Sequence, residues 1–133
     1  MKVASNAWGE IVHHEAERIL ELRWLPGEMT DGGFKATLAL YAWQAEQIRP
    51  SFLLIDATQF RPPRFGPNVM QWRDDSITPR YGAAGVKKFA FHVPEGAPNT
   101  IEAGGKEGFE GSAVFPTAWF TKREHALDWF RKS

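Results

Sequence analysis

The sequence predicts an α/β fold with a single mixed, mostly parallel five-stranded sheet, an N-terminal antiparallel hairpin strand and flanking helices. Residues 51–56 (Ser-Phe-Leu-Leu-Ile-Asp) form a continuous apolar run, which is typical of a central strand covered on both faces. Phe34, Leu38, Tyr41 and Ala45 recur before this run at the spacing of an amphipathic helix. A length of 133 residues suits one domain over 1–133 with its own core.

The hairpin comes first in the chain. Residues 10–15 and 18–25 alternate apolar and polar side chains around a short polar turn, whereas residues 1–9 show no element and could be disordered. Pro26-Gly27 ends the second strand. Thr30 can then cap the helix, which Pro50 stops after Arg49.

Prolines mark the boundaries in the second half of the chain. The predicted elements are a loop over 58–66, a helix from Pro67 that Pro79 ends or kinks near Thr78, a strand over 86–93, a long loop over 95–112 and a strand over 114–120. Pro116 places the last strand at an edge or a bulge. Residues 121–124 (Thr-Lys-Arg-Glu) match a capping box that opens a terminal helix.

Composition narrows the function classes. Sixteen basic and sixteen acidic residues cancel, so we expect no nucleic-acid partner, and the absence of Cys excludes thiol catalysis and Cys-based metal sites. No apolar stretch is long enough for a membrane span, and we expect a cytoplasmic protein. Six Trp and ten Phe with no net charge favour a homodimer.

Single residues offer functional and structural alternatives. Asp56 ends the central strand, where ligands bind in α/β sheets, but an Asp there more often anchors the following turn. Arg61 and Arg64 could clamp an anion near Gly66 or form a solvated loop. Trp43 lies off the apolar stripe of its helix and could serve an interface or a pocket rim.

Histidines do not make a convincing catalytic or metal set. His13 and His14 are adjacent in a strand, so their side chains point to opposite faces and cannot readily share one metal ion. His92 could be a base, but no motif places a nucleophile beside it. We therefore predict no metal, no cofactor and no enzymatic activity.

Dispersed motifs resemble a known family. They are Ile19-Leu20-Glu21-Leu22-Arg23-Trp24, Leu53-Leu54-Ile55-Asp56, Trp72, Lys87-Lys88-Phe89-Ala90, Ala118-Trp119-Phe120 and Glu124-His125-Ala126-Leu127-Asp128-Trp129-Phe130. This pattern is similar to the SpoIIAA-like branch of the STAS domain superfamily over nearly the whole chain. The resemblance implies a relation to anti-sigma-factor antagonists and, more distantly in fold, to CRAL-TRIO lipid-transfer domains.

The phosphoserine switch that the resemblance implies has no counterpart here. Antagonists of this family carry an Asp-Ser-Ser-Gly type motif before a helix, where the present chain has Pro63-Arg64-Phe65-Gly66. Phosphorylation needs a hydroxyl, and Thr58 is the nearest one.

The sequence therefore predicts two candidate functions. The first is a non-catalytic protein-interaction module that uses the loop over 58–66 and the next helix, and the alternative is binding of a small apolar or amphipathic, lipid-like ligand. The candidate partner- or ligand-binding residues are Asp56, Thr58, Arg61, Arg64, Phe65, Gly66, Trp72 and Trp43.

Overall fold

One mixed sheet with helices on both faces organises the structure, a computed structural model that describes residues 1–60, 65–97 and 114–132. The strands are β1 Lys2–Ser5, β2 Gly9–His14, β3 Ile19–Trp24, β4 Phe52–Asp56, β5 Lys88–His92 and β6 Thr117–Phe120. The helices are α1 Asp31–Ile48, α2 Val69–Ser76, α3 Thr78–Ala83 and α4 Arg123–Arg131, with a short 3-10 helix at Glu15–Glu17.

The spatial order of the strands is their order in the chain, β1 to β6. β1, β2 and β3 pair antiparallel, whereas β3 to β6 pair parallel. β4 therefore lies between two parallel neighbours, and its residues Leu53, Leu54 and Ile55 are buried. The α/β class and the N-terminal antiparallel hairpin are confirmed.

The sheet has six strands rather than the predicted five, because residues 2–5 pair with β2. This segment offers only Val3 and Ala4 as apolar residues, too few for a strand pattern in the sequence. Both side chains pack against the core, so the strand forms through tertiary contacts that local sequence does not reveal.

The first helix follows its prediction closely. The Gly33 N–H donates to the Thr30 Oγ1 at 2.9 Å, which caps the helix as predicted. On the buried side of the helix, the Tyr41 hydroxyl donates to the backbone oxygen of Leu20 at 2.6 Å and lies 3.3 Å from that of Leu54. Tyr41 therefore ties α1 to two parallel strands, and burial raises its pKa well above the ordinary tyrosine value.

Two helix starts differ from the sequence expectation. Pro79 ends α2 as predicted but also occupies the first turn of α3, an additional helix. The prediction of a capping box at residues 121–124 was wrong. Helix α4 begins at Arg123, with Lys122 in the cap position and no hydrogen bond from a capping side chain. Pro116 precedes β6, which lies at the edge of the sheet in the described residues, as predicted.

The two faces of the sheet carry different layers. Helices α1, α2 and α3 contribute to one core with Leu22, Ile55 and Phe89, and we call this side the α1 face. Helix α4 packs on the other side against Leu54 and Ala90, and we call this side the α4 face. Strand residues alternate between these faces because the side-chain period of a strand is two.

Most of the long loop predicted over 95–112 lies outside the described residues. Among the helices of the described ranges, none combines the length and the apolar character needed to cross a bilayer.

Candidate functional site

A cavity of about 390 Å³ lies on the α1 face, between the sheet and the helices that cover it. The described residues that line it are Trp24, Phe34, Leu38, Ile55, Ala57, Phe60, Phe65, Met70, Arg73, Thr78, Tyr81, Phe89, Phe91, Phe115 and Thr117. Trp24 is the last residue of β3 and Ala57 follows directly after β4. The cavity therefore lies towards the carboxyl ends of the parallel strands, where α/β sheets bind ligands.

Aromatic rings form the two sides of this cavity. The first group, which we call the β3 aromatic group, consists of Trp24, Phe34, Phe60 and Phe65. In this group Trp24 and Phe34 are stacked, with ring centroids 5.6 Å apart and an interplanar angle of 9°.

The second group, the β5 aromatic group, consists of Tyr81, Phe89, Phe91 and Phe115. Phe89 stacks on Phe91 at 4.8 Å and on Phe115 at 6.1 Å, with angles of 16° and 17°. Strand β4 lies between β3 and β5. The strands of the two groups are therefore about two strand spacings, roughly 10 Å, apart.

The polar side chains that line the cavity come from helices and from a strand. Arg73 of α2 lines it with a side chain that is 20% exposed, and its Nε and one terminal nitrogen donate to Asp74 at 3.2 and 3.1 Å. Thr78 of α3 and Thr117 of β6 add hydroxyl groups. Met70, which is 37% exposed, lines the cavity from the same side as Arg73 and reaches the solvent.

The opposite face carries a row of ionisable side chains at the same end of the sheet. Strand pairing places Glu10, Arg23, Asp56 and His92 side by side across β2, β3, β4 and β5. The His92 Nδ1 lies 3.9 Å from the Asp56 carboxylate, which is too long for a hydrogen bond. This row is a charged surface separated from the cavity by the sheet.

Behind this row, Glu21 is fully buried with three basic partners. Its carboxylate accepts from Arg123 at 2.7 Å and contacts the His14 Nε2 at 2.8 Å, with the Arg23 Nε at 3.3 Å. Burial alone would raise the pKa of Glu21, but these hydrogen bonds and the Arg123 charge hold it below the ordinary glutamate value. Arg123 opens α4, so this network fastens the helix to the sheet.

The structure disperses the residues predicted to form one site. The Asp56 Oδ1 accepts from the Thr58 N–H at 3.0 Å and from its hydroxyl at 2.6 Å, which is the turn-anchoring arrangement. Asp56 ends β4 and Thr58 follows it, and Asp56 belongs to the charged row on the α4 face. Arg61 and Arg64 lie outside the described residues.

The remaining predicted residues divide between the cavity and its surroundings. Phe65 lines the cavity, and the Gly66 N–H beside it donates to Asp31 at 3.0 Å. Trp72 lies outside the lining, and the Lys35 ammonium lies over its ring, 5.5 Å from the ring centroid. Trp43 is 50% exposed on α1 and also lies away from the cavity.

Sequence reasoning did not identify the two central features of the structure. Glu21 stands alone as a carboxylate among the apolar residues of β3, and that isolation was the available signal for a buried network. The cavity combines residues from seven elements and the loops between them, so only the general abundance of Phe and Trp pointed to it.

The fold and the site define a mixed α/β protein with an aromatic cavity on one face and a charged row on the other. Comparison of the chain with family models, curated proteins and solved structures found no match.

Proposed function

We propose that this protein binds a small apolar or amphipathic molecule in the α1-face cavity. The cavity itself carries the proposal: protein interiors are close-packed, and voids much larger than a water molecule are uncommon. A volume of about 390 Å³ falls at the lower end of the range of small-molecule sites, and eleven of the fifteen described lining residues are apolar.

The proposed function is non-catalytic recognition. The Asp56 carboxylate anchors the turn after β4 through Thr58, and the His92 Nδ1 lies 3.9 Å from it, beyond hydrogen-bond distance. The relation to the SpoIIAA-like branch rests on the motif residues alone and belongs to this proposal.

A dye titration tests the proposal. N-phenyl-1-naphthylamine, an uncharged aromatic dye, is expected to bind the wild-type protein at one site with a large rise in fluorescence. Ala57→Trp places an indole at a partly exposed position of the cavity wall and should weaken binding by about tenfold or more, since the dye and the new side chain compete for the same volume.

Trp43→Ala is the matched control, because it changes a Trp that does not line the cavity. Its dye affinity should equal that of the wild type. No saturable binding to the wild-type protein, or equal binding by Ala57→Trp, would contradict the proposal.

Recognition of a protein partner is a second candidate, favoured by the exposure of Trp43. Half of this large apolar side chain is accessible on α1, and Trp is enriched where proteins meet. The partner we propose is a second copy of the chain, since no net charge opposes self-association. Sedimentation velocity over a concentration series should show a dimer that Trp43→Glu disrupts; a wild type that sediments as a monomer throughout would refute it.

A further inference from the structure

The aromatic content of the cavity wall restricts the ligand class, if the cavity binds a ligand as proposed above. Eight of the fifteen described lining residues are aromatic, and they divide into the β3 and β5 aromatic groups on either side of β4. Aromatic pairs in offset or edge-to-face contact gain about 0.5–1.5 kcal/mol beyond the area that they bury. A ligand with rings makes such contacts on both sides, whereas an acyl chain gains only from burial.

The charge in the wall adds a second restriction. Arg73 is the charged member of the described lining, and its partner Asp74 does not line the cavity. Its guanidinium lies in a partly buried position and pairs with Asp74, so a ligand anion would share the guanidinium with that carboxylate. Arg also offers planar donors that match a carboxylate or a sulfonate.

We propose that the cavity takes a planar aromatic acid, with its rings between the two aromatic groups and its anionic group towards Arg73. The volume of about 390 Å³ suits a small number of rings rather than an extended polycycle. Thr78 and Thr117 also belong to the lining, and the Thr117 hydroxyl donates to the Phe115 backbone oxygen at 3.4 Å. This inference rests on the proposed function and specifies its ligand.

Two related dyes separate the contribution of the charge from that of the rings. 8-Anilinonaphthalene-1-sulfonate shares its rings with N-phenyl-1-naphthylamine but adds a sulfonate. The wild-type protein should bind the sulfonate dye roughly tenfold more tightly, because a charge-assisted hydrogen bond to Arg73 is added. Equal affinities for the two dyes would overturn the assignment of an anionic ligand.

Substitution of Arg73 tests whether this residue causes the difference in affinity between the two dyes. Arg73→Met keeps an apolar stem and removes the charge, so it should lose about tenfold in affinity for the sulfonate dye and keep its affinity for the uncharged dye within about twofold. Retained binding of the uncharged dye shows that the variant is folded with its cavity intact. Arg73→Lys should recover part of the loss because the charge returns without the planar donors.

Arg80→Met is the matched control. Arg80 lies on α3, pairs with Glu46 and does not line the cavity, so removal of its charge should leave both dye affinities unchanged. An equal loss of sulfonate-dye affinity in Arg80→Met and Arg73→Met would indicate general surface electrostatics and overturn the role of Arg73.

Competition tests the aromatic requirement. 2-Naphthoate should displace the sulfonate dye at concentrations about tenfold lower than decanoate, an acid of similar size without rings. Equal displacement by both acids would overturn the preference for rings. If the uncharged dye binds in the cavity while the preference for acid or rings is absent, only this inference fails; if neither dye binds, the proposed function fails as well.

Discussion

The two faces of the sheet are packed in opposite ways. On the α4 face, small residues such as Ala90, Ala118 and Ala126 are fully buried, and the one buried carboxylate of the described residues, Glu21, has its charge matched. On the α1 face, large rigid rings surround a cavity of about 390 Å³. The α4 face is closely packed around small residues and a paired charge, whereas the α1 face, which holds the larger core, leaves a cavity among its rings.

The largest effect is expected from Glu21→Ala on the α4 face. The change removes the carboxylate that pairs with Arg23 and Arg123, so their charges lose their partner. Breaking a buried ion pair in this way costs about 3–5 kcal/mol of unfolding free energy. Because both guanidinium groups are about a third exposed, we expect a loss of about 3 kcal/mol, measured by urea denaturation.

Glu10→Ala is the control on the same face. Glu10 is 29% exposed and its basic partners lie 3.8 and 4.0 Å away, so its removal should cost less than about 1 kcal/mol. Similar losses for the two variants would show that burial of Glu21 does not set its contribution.

An intermediate effect is expected when the same substitution is made on the two faces. Ala118→Leu adds three carbon atoms to a close-packed position and should lower the unfolding free energy by about 1–3 kcal/mol. Ala57→Leu adds the same atoms at the wall of the cavity and should change it by less than about 0.5 kcal/mol or raise it. Thermal melting compares both variants with the wild type, and an equal destabilisation would remove the distinction between the faces.

The smallest expected effect is the loss of stability as the pH is lowered. The pKa of Glu21 is lower in the folded protein than the ordinary glutamate value of 4.5, so its contribution to stability is complete above that pH. The contribution is lost as the pH falls through the lower folded pKa, because the carboxylate then takes up a proton and its pairs with Arg123 and His14 weaken.

Urea unfolding between about pH 6 and pH 3 measures this effect. The difference in stability between the wild type and Glu21→Gln should shrink as the pH falls. A difference that stays constant over that range would argue against a carboxylate with a lowered pKa.

Much of the fold could be predicted because its signals are local. The apolar run of β4, the spacing of α1 and the cap at Thr30 each depend on residues close in sequence. β1 and α3 could not be predicted in the same way, since a four-residue strand and a six-residue helix carry too little periodicity.

The candidate site was less predictable for a related reason. The expectation that ligands bind near the carboxyl ends of the strands led to the loop after Asp56, and Phe65 from that region does line the cavity. Asp56 does not join it, because a strand sends Asp56 and Ile55 to opposite faces and only the packed structure shows which face holds the cavity. Trp24 and Phe89 belong to strands β3 and β5, and core packing and cavity lining have the same sequence pattern.

The order of the strands has a consequence for the folding pathway. Because β1 to β6 are neighbours in the order in which the chain presents them, no strand has to be inserted between two strands that are already paired. Each pairing step closes one connection between consecutive strands, and the entropy lost on closure grows only slowly with its length. The sheet can therefore grow by adding each strand to the edge left by the one before it, without opening pairs that have already formed.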